Sequence, residues 1–292
     1  MRLGCLKATK PRVRRIDPIR FLLAVLTAWA ASGAAAQDCG PDTPCQIENG
    51  SYYLRVPDGP GPYPVLVWFH GANSNGASIH RAGGLQRDFL EHGYALLAPN
   101  GQTRPNRGPS RFFFPGRDGS ERDDVAFTLA ALEAAQQRAD LDVNRLYAAG
   151  FSAGGSMAWL LACKEGHRLS GMVSVAGALR RPNATDCSGL KGLPVMQVHG
   201  FADGQVPLEG RGTPDRHQGD VWQILKRARE ANGCRSNPDD INIDDAFRSR
   251  TWDATCTRST VRLDLHDGGH GLPRGWSGRA RAFFESALIE TR

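Results

Sequence analysis

Three residues scattered through this sequence could cooperate in one reaction. Ser152 stands in Gly150-Phe151-Ser152-Ala153-Gly154, Asp203 in His199-Gly200-Phe201-Ala202-Asp203-Gly204, and His270 in Asp267-Gly268-Gly269-His270-Gly271. A serine hydroxyl is a weak nucleophile at neutral pH. It becomes effective when a base takes its proton and an acid holds that base in the right tautomer. Serine, acid and histidine in this chain order form a recurrent set of that kind. The chemistry would be attack on an acyl carbonyl and transfer of the acyl group to serine. Its rate should fall as the pH drops through the ordinary histidine range. The tetrahedral oxyanion also needs donors. One would be the backbone N–H of Ala153, directly after the nucleophile. The other would come from the loop His70-Gly71-Ala72-Asn73, with Ala72 preferred and Gly71 next.

Each of these residues needs an element to hold it. The apolar run 145–149 precedes Ser152, and a run with helical character, 155–163, follows it. Strand, tight turn and helix is the context in which a Gly-x-Ser-x-Gly pattern exposes its serine. Continuous apolar runs at 64–71, 94–99, 171–177, 194–200 and 260–266 read as strands covered on both faces. Residues 52–57 alternate like an antiparallel edge strand. Helices are predicted over 84–92, from Glu121 onward with Val125, Leu129 and Leu132 on one face, over 218–231 and over 277–290. Strands alternating with helices predict an α/β fold, a mostly parallel central sheet with helices on both faces. Ligands of such sheets bind at the carboxyl ends of strands. Ser152, Asp203, His270 and the Ala72 loop all follow such ends.

Competing readings exist for several of these residues. Asp267 could replace Asp203 as the acid, but it lies only three residues from His270 and is poorly placed to approach the ring from behind. His266 and His270 have the spacing of a helical metal pair. Gly268-Gly269 between them argues against a helix, so no metal site is expected. His199 and His266 sit at strand ends and read as packing residues. His70 need not be catalytic. Asp123 and Asp124 open a helix, where acids suit the dipole. Phe113, within Phe112-Phe113-Phe114, and Trp276 could line a site for an acyl or aryl group. Asn183-Ala184-Thr185 fits a glycosylation sequon.

Bulk properties set the compartment. Residues 1–36 carry arginines, then an apolar run from Phe21 to Ala31, then small residues ending Ala34-Ala35-Ala36. That is the layout of a secretory signal peptide, with a run too short for a membrane span. Residues 37–292 would then be one catalytic domain. The whole chain has 36 Lys and Arg against 30 Asp and Glu. The leader holds seven of the bases and one of the acids, so the remainder balances. Nothing there argues for nucleic acid or, once the leader is cleaved, for an anionic membrane surface. Six cysteines remain beyond the leader and suit an oxidising compartment, extracellular or periplasmic. Nearest-in-sequence pairing is expected: Cys39–Cys45, Cys163–Cys187 and Cys234–Cys256.

The motifs His70-Gly71, Asp123-Asp124-Val125-Ala126-Phe127, Gly150 to Gly155, His199-Gly200-Phe201-Ala202-Asp203 and Gly268-Gly269-His270 stand in one order. With Val206 to Arg211 and Gln218 to Val221, they make the chain resemble the secreted polyhydroxybutyrate depolymerase and feruloyl esterase-like group of α/β-hydrolases. The likeness covers nearly all of residues 37–292. It implies the α/β-hydrolase fold, Ser152, Asp203 and His270 as the triad, and no cofactor. Many members carry an aromatic before the proline where this chain has Gly271-Leu272-Pro273, which leaves the acyl pocket open. The catalytic domain fills residues 37–292, so soluble oligomers or small hydroxyacyl or hydroxycinnamoyl esters are expected rather than crystalline polymer. A peptidase of the same fold and a non-catalytic binding protein are the alternatives.

Overall fold

The long apolar runs become strands because only a sheet covered on both sides can bury both of their faces. The computed structural model describes residues 43–102, 112, 122–181, 186–213 and 216–290. All of these belong to one compact unit, residues 36–292. The expected leader, Cys39, Phe113 and the Asn183 sequon lie outside the described residues.

The strands run β1 (Cys45–Ile47), β2 (Gly50–Arg55), β3 (Tyr63–Phe69), β4 (Ala95–Pro99), β5 (Leu141–Phe151), β6 (Gly171–Val175), β7 (Arg180–Arg181), β8 (Val195–Gly200), β9 (Arg211–Thr213), β10 (Arg216–Gln218), β11 (Asp240–Ile243), β12 (Arg248–Trp252) and β13 (Val261–His266). The helices are α1 (Gly83–Asp88), α2 (Asp124–Gln136), α3 (Ala153–Glu165), α4 (Val221–Asn232) and α5 (Trp276–Glu290). Ten strands form one sheet in the order β1-β2-β4-β3-β5-β6-β8-β13-β12-β11. The six from β4 to β13 in that order are parallel. The two strands at each edge are antiparallel. Strands β7, β10 and β9 form a small separate sheet. This is the α/β-hydrolase architecture. The strand order reverses between β3 and β5, so the carboxyl ends of these neighbours frame the crevice where such sheets bind ligands.

Each face of the sheet has its own core. On one, Met157, Trp159 and Leu160 of α3 pack with Val67 and Phe69. On the other, Leu85, Phe89, Phe283 and Phe284 pack with Leu66 and Trp68. Trp276 belongs to this second core. It is 6% exposed and stacks on Trp68 with ring centroids 5.3 Å apart. The sequence placed it as a site-lining residue; its aromatic area is spent on packing instead.

Other differences are local. The helix expected over 84–92 ends at Asp88 and is followed by a 3-10 turn, Leu90–His92. β11 has no continuous apolar run: Ile241 and Ile243 alternate with polar residues, and all four of its residues are exposed. It exists through its ladder with β12 rather than through burial. Disulfides join Cys163, near the end of α3, to Cys187, and Cys234, just past α4, to Cys256. Cys45 is also disulfide-bonded. Among the described residues, no helix is long and apolar enough to cross a membrane.

Candidate active site

β5 ends at Phe151 and α3 starts at Ala153, which leaves Ser152 alone in the turn. Its φ of 57° and ψ of −117° lie in a region that side chains rarely adopt. The bend is held from outside: the Ser152 N–H donates to the Val175 carbonyl at 2.9 Å. The flanking glycines are there for space. A Cβ at Gly154 would lie 1.9 Å from the Phe69 carbonyl oxygen, and one at Gly150 would lie 2.3 Å from the Gly154 carbonyl oxygen. No side chain can enter where β3, β5 and α3 meet this closely.

Two distant loops meet at this turn. His270 Nε2 lies 2.8 Å from Ser152 Oγ, and His270 Nδ1 lies 2.8 Å from Asp203 Oδ2. The Asp203 side chain is fully buried. Its Oδ1 accepts the Gln205 and Val206 backbone N–H groups at 2.9 and 2.8 Å. Backbone bonds from Phe201 N to His266 O and from Ala202 N to Gly268 O stitch the Asp203 loop to the His270 loop. Asp267 points elsewhere: it is 72% exposed and pairs with Arg248 at 2.7 Å. The acid within reach of His270 is therefore Asp203.

The loop after β3 is held by His70. The ring is buried and sits between two groups that allow one tautomer only. Nδ1 lies 2.8 Å from the Gly71 carbonyl, which can only accept. Nε2 accepts the Gly101 N–H at 3.0 Å. Burial pushes this histidine down to about 4. With the Gly71 carbonyl tied to the ring, the Ala72 N–H of the same trans peptide points the opposite way. Ala72 itself is exposed, whereas Ala153 is buried at the first position of α3. The N–H of Ala153 is one of those an α-helix leaves free at its start.

Several residues near the site had no clear sequence signal. The Phe151 ring packs on His270 with centroids 5.2 Å apart. Phe112 is buried against Phe69 and His70. Phe201 and Leu272, on the stitched loops, are 53% and 44% exposed. Next to Ala72, a polar cleft of about 560 Å³ is lined by Asn73, Asn75, Asn100, Gln102 and Arg122 among others. Asp123 caps α2 by accepting the Val125 and Ala126 N–H groups. Asp124 is buried and paired with Arg122, so both acids have structural partners. His266 Nδ1 accepts the Gly268 N–H at 3.1 Å, which shapes the loop leading to His270. Among the described residues, no group of three His, Cys, Asp or Glu is placed to hold a metal ion.

Comparison with known proteins places this geometry in context. The family described as Phospholipase/Carboxylesterase matches residues 61–226. Feruloyl esterase C of Emericella nidulans is 28% identical over 277 residues, covering 87% of this chain and 92% of that protein. The probable feruloyl esterase C of Aspergillus niger is 27% identical, covering 88% of this chain and 92% of that protein. Among solved structures, the Bacillus cereus carboxylesterase superposes with a TM-score of 0.56 at 17% identity, covering 82% of this chain and 95% of that one. The acetyl xylan esterase of Aspergillus awamori gives 0.56 at 12% identity, covering 86% and 97%. At those identities the structural likeness speaks for the fold alone.

Proposed function

The chain belongs to the phospholipase/carboxylesterase family of α/β-hydrolases, whose members are esterase-type hydrolases; from that premise we propose that it is a secreted serine esterase acting on small or oligomeric esters through an acyl-enzyme. One observation carries this reading: the unbroken chain from Asp203 Oδ2 through His270 to Ser152 Oγ, with both contacts at 2.8 Å. Ser152 Oγ attacks the ester carbonyl carbon while His270 Nε2 takes its proton. The Ala153 and Ala72 N–H groups receive the oxyanion, each such donor being worth about 3 kcal/mol. The intermediate collapses, the C–O bond to the alcohol breaks, and His270 returns the proton to the departing alcohol. Water then repeats the sequence on the acyl-enzyme, releasing the acid and restoring Ser152. Asp203 keeps His270 in the working tautomer and stabilises its charged form.

The acyl side is proposed to take a hydroxycinnamoyl group. The exposed side chains of Phe201, on the Asp203 loop, and Leu272, two residues past His270, suit a flat apolar acid, and the relatives named feruloyl esterase C point the same way. The polar cleft next to Ala72 suits an alcohol rich in hydroxyl groups. A hydroxyalkanoate oligomer is the second candidate substrate. Export through the segment 1–36 is part of this reading, and mass analysis of secreted protein should find Gln37 at the N-terminus.

The test of the mechanism is Ser152→Ala. It should cut hydrolysis of aryl and feruloyl esters by roughly a million-fold and abolish labelling by a fluorophosphonate probe. A variant with full activity would sink the serine mechanism. A panel of feruloyl esters and hydroxybutyrate oligomers ranks the substrates.

A further inference from the structure

A row of fully buried polar side chains runs inward from Asp203 to α3. At its far end, the Trp159 indole N–H donates to Gln197 Oε1 at 2.8 Å. An indole can only donate, so the carbonyl end of the Gln197 amide faces it. The amide nitrogen then faces the Gly177 carbonyl at 3.0 Å and His199 Nδ1 at 2.9 Å. That nitrogen has only hydrogens to offer. His199 Nδ1 must accept, and the ring proton sits on Nε2. The other side of the ring agrees, because Nε2 lies 2.7 Å from the Val206 carbonyl, which can only accept.

The Nε2 atom also stands 3.4 Å from Asp203 Oδ2, the oxygen that holds His270, but its proton goes to the Val206 carbonyl. The Val206 peptides are used twice. The Val206 carbonyl takes the His199 proton, while the Val206 N–H donates to Asp203 Oδ1 at 2.8 Å. We propose that His199 is a positioning residue: its Nε2–H, aimed by Gln197, clamps the Val206 carbonyl, and Val206 in turn holds Asp203 Oδ1 through its N–H, so that the carboxylate meets His270 in one orientation. This inference rests on the reading of Asp203 as the orienting acid.

Packing alone does not account for the arrangement. Trp159, Gln197 and His199 are each 0% exposed. Burying three polar groups is costly unless each finds its partner, and an apolar residue at the end of β8 would need none of them. The charged and titratable groups that face His199 are Asp203, His270 and His266. Burial, the largest influence, pushes His199 below the ordinary histidine range, with the Val206 carbonyl and then Asp203 opposing it. The ring therefore clamps the Val206 carbonyl as a neutral donor at working pH.

The test compares His199→Leu with His199→Gln in the full enzyme. Gln places an amide N–H where Nε2 stands; Leu keeps volume and loses the donor. The Leu variant should lose about 10- to 100-fold in kcat with little change in KM, since misplacing a catalytic group costs on that scale. The acid limb of its kcat/KM profile should move to higher pH, because a carboxylate whose Val206 N–H bond is loosened holds an adjacent imidazolium more tightly. The Gln variant should recover most of kcat and the original limb. Equal loss in both variants, or a Leu variant with wild-type rate and profile in an enzyme that Ser152→Ala inactivates, would overturn this inference and leave the serine mechanism standing. If Ser152→Ala retains activity, the serine mechanism fails and the inference falls with it. The unmutated protein gives a check that needs no folded variant. Nitrogen-15 NMR of the imidazoles should find His199 with a bare Nδ1 and a protonated Nε2 from pH 6 to 8, and a proton on Nδ1 would overturn the proposal.

Discussion

The dipeptide His-Gly occurs at the carboxyl ends of two parallel strands, and the two copies are wired in opposite ways. His70-Gly71 follows β3 and His199-Gly200 closes β8. Both rings are buried, and burial lowers both below the ordinary histidine range. His70 carries its proton on Nδ1 and accepts a backbone N–H at Nε2. His199 carries its proton on Nε2 and accepts an amide N–H at Nδ1. One ring orders the proposed oxyanion loop and the other orders the acid loop. The same two letters thus serve two halves of one site, and the neighbours decide which nitrogen holds the proton.

The glycines of the two dipeptides differ most, and that difference should give the largest effect. A Cβ at Gly200 would lie 2.3 Å from the Gly268 carbonyl oxygen and 2.4 Å from that of Gly269, backbone that carries His270. A Cβ at Gly71 would press on the edge of the Phe151 ring, at 3.0 Å, and meet the Phe151 carbonyl oxygen only at an ordinary 3.6 Å. Gly200→Ala should therefore push the His270 loop away and cut kcat by about 100-fold or more, while Gly71→Ala costs far less. Equal rates for the two variants in an ester assay would erase this contrast.

Acid should expose the cost of keeping His70 neutral. Unfolded, the ring protonates near 6.5; folded, only at about 4. Between those values the unfolded chain binds more protons, so the stability is complete above about 6.5 and is lost as the pH falls through about 4. The loss should be about 3 kcal/mol. His199 drains stability in the same direction. Urea melts at pH 7 and pH 4.5 should show the drop, and His70→Asn should shrink it to the part that His199 leaves.

Reversing the amide substitutions tests the tautomers directly. Asn places its N–H where Nδ1 stands, and Gln places it where Nε2 stands. His70→Asn should outperform His70→Gln by about tenfold in kcat, the net worth of one buried hydrogen bond. At position 199 the ranking should reverse. The same ranking at both positions would show that the proton assignment is wrong at one of them. The smallest effect belongs to Asp267, which pairs with Arg248 in solvent. Asp267→Asn should change kcat by less than about twofold, as expected for an exposed ion pair, whereas Asp203→Asn should cost orders of magnitude.

Much of the site was legible because its parts are local patterns. The turn at Ser152 needs glycines on either side and a strand and helix around it, and all of those are neighbours in the chain. The parallel core strands announced themselves as continuous apolar runs. Edge strands such as β11 did not, because their pairing uses backbone groups that every residue carries. Trp276 was misplaced for a related reason: an aromatic reads the same whether it lines a cleft or stacks on Trp68.

By itself, the sequence determined the order of the parallel core strands and the main helices, the tight turn at Ser152, and the residues proposed as nucleophile, acid and base. Covalent neighbours and burial patterns are sufficient for those. Only the tertiary structure decided that Asp203 rather than Asp267 reaches His270, and that His70 and His199 hold their protons on opposite nitrogens. A ring proton goes where the nearest donors and acceptors allow. For His70 the deciding donor is Gly101, 31 positions away, and His270 meets Ser152 across 118 positions. Such partners are brought together only by the closing of the sheet.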